Sequence, residues 1–308
     1  MNLRLFLPGF IAFLISLVLM PVMIRLAASI GFTDNPSERD AHRRMHSAPV
    51  ARGGGLVVTI GFIVPLCLFF PLDGPYGAIL IGVCMLATSG TLDDRFDLSP
   101  ALQLLAPLAA ALVVSLTGSH IRAVTNPFNG YFNLESVLWC AHLLTVCWIV
   151  AMVLSVKILD GIDGLSAGIG LIASATIGAV ALLVPGDERT ASLAFLLGGV
   201  LLGYLPWNWH PARIYYGEAG AMLVGFVLAV TAILSTGKWV VTLMVMAIPL
   251  LDMGRVIVLR LMRGHKPWIG GRDHLHHLLS DSGLGVRGTT VVLCLLSGLM
   301  GIVAFLIQ

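Results

Sequence analysis

The chain has 308 residues, of which 57% are hydrophobic and only 11% charged, with a formal net charge of +2. Such a composition, with a mean hydropathy of +0.94, excludes a pair of soluble domains and points to a polytopic membrane protein. A bilayer core about 30 Å thick takes roughly 20 apolar residues per helix, so spans consume most of the chain and function must sit in loops and helix ends.

In chain order, the apolar runs predict an all-α fold of ten transmembrane helices, near residues 5–28, 54–71, 77–92, 100–117, 137–156, 166–185, 190–206, 219–236, 239–259 and 289–308. They form one transmembrane domain over residues 1–308, with no separate soluble unit expected. The first run is long for a signal peptide and leads into a basic loop, so it is read as a retained span. Cys67, Cys84, Cys140, Cys147 and Cys294 all fall in apolar runs and are expected to be small buried hydrophobes. With the N-terminus outward, fourteen of the 18 lysines and arginines fall on the inner side, leaving Arg4, Arg122, Arg189 and Lys238 outside. The positive-inside rule then places both termini in the periplasm and the charged loops in the cytoplasm. An outward loop from Gly118 to Ser136 has the turn residues of a small hairpin.

The inner loops hold the chemistry. The first, from Asp34 to Gly55, is rich in arginine and histidine and ends in Gly53-Gly54-Gly55. Its arginines suit an orientation signal or an anionic-lipid patch, and its glycines allow close backbone approach to a ligand or a neighbouring helix. At the inner end of the third span comes Thr91-Leu92-Asp93-Asp94-Arg95-Phe96-Asp97. Adjacent carboxylates repel unless a cation or a shared proton relieves them, and Mg²⁺ takes one or two carboxylates together with substrate phosphates. A capping turn is the plainer alternative.

After the fifth span comes Lys157-Ile158-Leu159-Asp160-Gly161-Ile162-Asp163-Gly164. Ionised groups are costly in hydrocarbon, so a carboxylate pair at a membrane boundary points to function, although Asp-Gly steps also stop helices. The segment Trp207 to Gly220 puts Glu218 at the start of a helix, where the dipole favours an acid in any case. The last inner loop, Arg260 to Arg287, combines Arg263, His265, Lys266, Arg272, His274, His276 and His277. That mixture suits anionic oxygens, particularly a diphosphate, and its spacing fits no zinc pattern.

The motifs D-D-R-F-D-L, L-D-G-I-D-G-L-S-A-G, H-P-A-R-I-Y-Y-G-E-A-G and R-D-H-L-H-H-L resemble, in order and spacing, the polyprenyl-phosphate N-acetylhexosamine-1-phosphate transferases. The resemblance runs from the D-N-P-x-x-R loop to His277. It implies transfer of a HexNAc 1-phosphate, with GlcNAc first among the sugars, from a UDP-sugar to undecaprenyl phosphate, releasing UMP and starting a cell-envelope polysaccharide. It further implies Asp93, Asp94, Asp160 and Asp163 as catalytic residues, and a metal set of Asp93, Asp94, Asp163 and Glu218 for Mg²⁺, with Mn²⁺ as a substitute. Substrate contacts are expected from Lys157, Arg213, Arg272, His274, His276 and His277, joined by Arg43 and His46 of the first loop. The implied partners are UDP-HexNAc, undecaprenyl phosphate and membrane lipid, with no nucleic acid and with a homodimer allowed, in the bacterial inner membrane.

Two positions depart from the family pattern: Lys157 stands where asparagine is usual, and Glu218 where aspartate is usual. They keep open a member with little or no turnover and a binding role. A secondary transporter is the rival from another class, and it would place acids near the bilayer midplane in matched broken helices.

Overall fold

All ten predicted apolar segments are helical, and one helix is the hub around which the others pack. The computed structural model describes residues 3–34, 49–125, 131–235, 239–266 and 271–307. Its helices are α1 (Leu7–Ser29), α2 (Gly54–Phe69), α3 (Gly74–Phe96), α4 (Pro100–Leu116), α5 (Leu138–Leu159), α6 (Leu165–Ala181), α7 (Glu188–Asn208), α8 (Gly217–Leu234), α9 (Trp239–Val245), α10 (Ala247–Met262), α11 (Leu275–Leu279) and α12 (Gly285–Leu306). The α8 helix is buried without interruption from Ala219 to Ala232 and packs against α2, α3, α5, α6, α7 and α9.

Helices that are apolar all round have two outlets for their surface, protein and lipid. Phe10, Leu14, Val18, Val22 and Leu26 form an exposed apolar stripe along α1, and Leu295, Leu299, Ile302 and Leu306 do the same on α12. In water such faces would drive aggregation, whereas in a bilayer they are the required surface. Six of the helical stretches are long and apolar enough to cross a membrane, and α2, α4 and α6 are shorter apolar helices. The protein is therefore an all-α, multi-pass membrane protein.

Helix–helix contacts rely on small residues, as expected where lipid offers apolar contacts as good as those between side chains. On α7, Gly199 meets the backbone of Gly9, and a β-carbon on Gly203 would lie 2.5 Å from the carbonyl of Phe13, which brings α1 and α7 together. Gly90 of α3 meets Ala219 of α8 in the same way.

Three expectations are corrected. The ninth predicted span is two helices, α9 and α10, separated at Met246. Pro249 has no N–H to give the carbonyl of Val245 one turn back, and the hydroxyl of Ser297 on α12 donates to that carbonyl instead at 2.7 Å. The cysteines are not fully buried: Cys67, Cys84 and Cys147 are exposed among outward-facing apolar side chains, Cys140 is half-buried, and Cys294 is half-buried against the core beside Gly168. The last inner loop is also partly helical, with α11 and a π-turn at Ser280–Leu284 running into α12.

Two small antiparallel sheets complete the fold. Strands β1 (Thr33–Asp34) and β2 (Val50–Ala51) pair across the first loop. Strands β3 (Ala123–Thr125) and β4 (Tyr131–Asn133) form the expected hairpin, in register Ala123 to Asn133. Arg4 and Arg189 line one cavity of about 500 Å³ and Arg122 another of about 530 Å³, both at the end of the bundle away from the acidic clusters.

Candidate active site

The four charged motifs, far apart in sequence, meet at one end of the bundle. The C-terminal ends of α3 and α5 and the N-terminal end of α8 bring Asp93, Asp94, Lys157, Asp160 and Glu218 together. The backbone of the first loop is fixed there too: Gly54 N donates to Tyr215 O at 3.0 Å, and Tyr215 N to Ala51 O at 2.9 Å. A β-carbon on Gly54 would sit 2.9 Å from that same Tyr215 oxygen, so the triple glycine serves a close backbone approach to the start of α8.

The two adjacent aspartates differ in partners. Asp93 is buried, and its Oδ1 accepts from Leu98 N at 2.8 Å and from Gln103 Nε2 at 2.9 Å. Asp94 points to α8, where Glu218 N donates to its Oδ1 at 3.2 Å. A carboxylate at a helix N-terminus meets unpaired N–H groups and the positive end of the dipole. Gly217 makes the approach feasible: its φ is +59°, and a β-carbon there would lie 2.5 Å from Asp94 Oδ2. Arg52 Nη1 donates to the backbone oxygen of Asp94 at 3.0 Å, and its Nη2 pairs with Asp34 at 2.7 Å. Beside them opens a cleft of about 450 Å³, lined by Phe32, Thr33, Arg52, Asp94, Arg95 and Phe96.

In the D-G-I-D-G turn the two carboxylates also separate in role. Asp160 Oδ1 accepts from the Ser166 hydroxyl at 2.7 Å. Burial pushes its carboxyl well above the usual carboxylate range against the pull of that hydrogen bond, and the neighbouring charges of Glu218, Asp94 and Asp163 push it further. Asp163 is occupied by protein: its Oδ2 lies 2.7 Å from His210 Nδ1 and accepts from Ala212 N at 3.0 Å, while its Oδ1 accepts from the Tyr215 hydroxyl at 3.2 Å. Burial, and then the charge of Asp163, push the Tyr215 phenol up. Gly164 N donates to Asn208 Oδ1 and Thr290 Oγ1 to Asp163 O, both at 2.9 Å, which ties α6, α7 and α12 to this turn.

The histidine loop docks on the same turn. His276 is 2% exposed, its Nε2 has no hydrogen-bond partner among the described residues, and a β-carbon on Gly161 would lie 2.5 Å from that nitrogen. The rings of His274 and His276 are parallel within 3° at 5.8 Å, and that of His277 sits 4.3 Å from His276. Asp252 sets the orientation: its carboxylate lies 2.9 Å from His274 Nδ1 and accepts from Leu275 N and from Arg255. Arg272 is paired with Asp281 at 2.6 Å. Arg213 is exposed, with its guanidinium 5.8 Å from the centre of the Trp207 ring. Arg43 and His46 lie outside the described residues.

The arrangement differs from the expected metal set of Asp93, Asp94, Asp163 and Glu218. Both oxygens of Asp163 and Oδ1 of Asp93 go to protein donors, and Glu218 Oε2 lies 2.9 Å from Lys157 Nζ. Lys157, expected to face substrate, thus faces a carboxylate and an amide. Among the described residues no group of three His, Cys, Asp or Glu side chains stands close enough to hold a metal ion by itself. Asp94 and Asp160, like Asp93, accept through Oδ1 and have no hydrogen-bond partner on Oδ2 among the described residues, and hard oxygen donors crowded by like charge suit Mg²⁺ completed by substrate phosphate and water. Gln103, Arg52, Ser166, His210, Tyr215 and Asp252 were not singled out from the sequence. Ser166, His210 and Tyr215 lie inside the quoted motifs, where spacing alone gives them no role, and Gln103 carried a signal as the first polar residue inside an otherwise apolar run.

Comparison with known proteins follows the same line. Residues 76–236 match the family described as Glycosyl transferase family 4. The chain is 30% identical over 310 residues to the probable undecaprenyl-phosphate N-acetylglucosaminyl 1-phosphate transferase of Bacillus subtilis (strain 168), covering 97% of this chain and 84% of that protein. It is 29% identical to the decaprenyl-phosphate N-acetylglucosaminephosphotransferase of Mycobacterium leprae, over 88% of this chain and 74% of that one. It is 27% identical to the undecaprenyl-phosphate alpha-N-acetylglucosaminyl 1-phosphate transferase of Escherichia coli (strain K12), over 92% and 78%.

Proposed function

Because the chain belongs to glycosyl transferase family 4, we propose that it transfers N-acetylglucosamine 1-phosphate from UDP-GlcNAc to undecaprenyl phosphate in the bacterial inner membrane. The observation that carries the reading is the convergence of Asp94, Asp160 and Glu218 with the docked histidine loop at one end of an apolar bundle. At that end a water-borne nucleotide and a lipid phosphate can meet. The site end faces the cytoplasm, both termini face the periplasm, and the chain crosses the bilayer ten times.

The reaction needs little acid–base chemistry, since the attacking phosphate oxygen is already anionic. That oxygen forms a new bond to the sugar-bearing phosphorus as the bond to UMP breaks, leaving a lipid-linked diphosphate sugar that starts envelope polysaccharide assembly. Asp94 and Asp160 would hold Mg²⁺, which when bound offsets the repulsion between the two anions and the charge on departing UMP. Asp94 takes a residual proton from the lipid phosphate. Asp163 fixes the 210–215 segment, and Asp252 presents the His274 ring to the nucleotide diphosphate.

The test is the full-length protein in proteoliposomes with undecaprenyl phosphate, UDP-GlcNAc and Mg²⁺, with UMP and lipid product measured together. Equal amounts of both, absent without lipid phosphate or with EDTA, are expected; UMP release independent of the lipid overturns the reading. A phosphosugar adduct on Asp94 with donor alone overturns direct attack. The Lys157–Glu218 pair favours one second reading, a member that binds both substrates without turnover, and donor binding without product in the same assay identifies it.

A further inference from the structure

Lys157 closes the last turn of α5 and reaches two other helices. Its Nζ lies 2.9 Å from Glu218 Oε2 at the start of α8 and donates to Gln103 Oε1 of α4 at 2.7 Å. The amide nitrogen of Gln103 donates in turn to Asp93 Oδ1 and to Leu98 O, each at 2.9 Å. One line of contacts therefore runs from Glu218 through Lys157 and Gln103 to Asp93, across α8, α5, α4 and α3. Both ends of the ion pair are largely shielded, with Lys157 19% and Glu218 27% exposed. Breaking such a pair leaves an uncompensated charge in a poorly solvated place, so it resists rearrangement.

Resting on the transfer reading above, we propose that Lys157 is a positioning residue, braced by Gln103, that holds the Glu218 carboxylate away from the bound cation and leaves cation binding to Asp94 and Asp160. Glu218 then tunes the charge around the cation without ligating it. Lysine at this position and glutamate at 218 form one matched unit, and neither departure from the family pattern acts alone.

The test reads cation binding apart from turnover: Mn²⁺ titrated into full-length protein in micelles, with the free ion followed by electron paramagnetic resonance. Glu218→Gln together with Lys157→Met, which removes the pair and leaves neither charge uncompensated, changes Mn²⁺ affinity by less than about threefold, because the carboxylate is already taken. Lys157→Met releases Glu218 to the ion and tightens Mn²⁺ about tenfold, and adding Glu218→Gln cancels the gain. Lys157→Arg keeps the positive charge and the wild-type affinity, which shows that the fold tolerates change at this position. A loss of more than about tenfold in the double variant, independent effects of the two substitutions, or no Mn²⁺ uptake by the wild type overturns the proposal. The proteoliposome assay is scored separately. Coupled Mn²⁺ binding without sugar-phosphate transfer sinks the function and spares this inference, and transfer without coupling does the reverse.

Discussion

Asp163 Oδ2 lies 2.7 Å from His210 Nδ1, and this contact joins the turn after α5 to the segment between α7 and α8. The same carboxylate also receives Ala212 N and the Tyr215 hydroxyl, so one side chain sets the path of the backbone leading into Glu218.

Asp163→Ala leaves those donors without an acceptor in a shielded place, at a cost of about 1–3 kcal/mol. Thermal unfolding in detergent is expected to show the loss. Activity is expected to fall on the order of 100-fold, because displacement of about 1 Å at a reacting centre suffices for that. A variant with unchanged melting and full activity would contradict the assigned role.

Asp160 makes stability depend on pH in the metal-free protein. Its carboxyl is held above the unfolded value of about 3.9, so between the unfolded and folded values the native state binds a proton that the unfolded state has released. Stability from this group is therefore greatest below about pH 4 and falls as pH rises toward the folded value. Unfolding measured against pH in EDTA is expected to slope downward there, and Asp160→Asn to flatten the slope. Saturating Mg²⁺ is expected to flatten it as well, by favouring the ionised form.

Gly217 combines a left-handed backbone with direct contact on Asp94. Gly217→Ala brings strain of about 1–3 kcal/mol and pushes the carboxylate off the start of α8. Both a lower melting temperature and a lower kcat are expected, whereas Gly254→Ala, with open space around it, serves as the silent control.

Asp252 orients His274 without lying in the acidic cluster. Asp252→Asn is expected to raise KM for UDP-GlcNAc about tenfold while kcat for bound donor changes less, since partners behind a functional histidine typically contribute 10–100-fold. A change confined to kcat would place Asp252 elsewhere in the mechanism.

The helices were legible because the bilayer writes its thickness into the chain as apolar runs, and the hairpin because its turn residues are explicit. The charged motifs were legible as clusters, since carboxylates and imidazoles beside hydrocarbon need a reason to be there. What each charge touches was not legible. Asp163 finds its partners some 50 residues on, between α7 and α8, and Lys157 finds Gln103 on α4; only the packing of α3, α4, α5 and α8 makes those neighbours. The break at Met246 was hidden because hydropathy does not register a missing N–H. The cysteines were misjudged because, with lipid as solvent, an apolar residue is as well placed outside as inside.

The sheathing of α8 has a mechanical consequence. A helix that borders lipid must tilt or stretch its surroundings when the membrane grows thinner or thicker. From Ala219 to Ala232 this one touches protein alone. Its first turn, and the acids gathered around it, are thus anchored to the bundle's frame of reference, and their spacing from one another is set by protein contacts instead of by the lipid mixture.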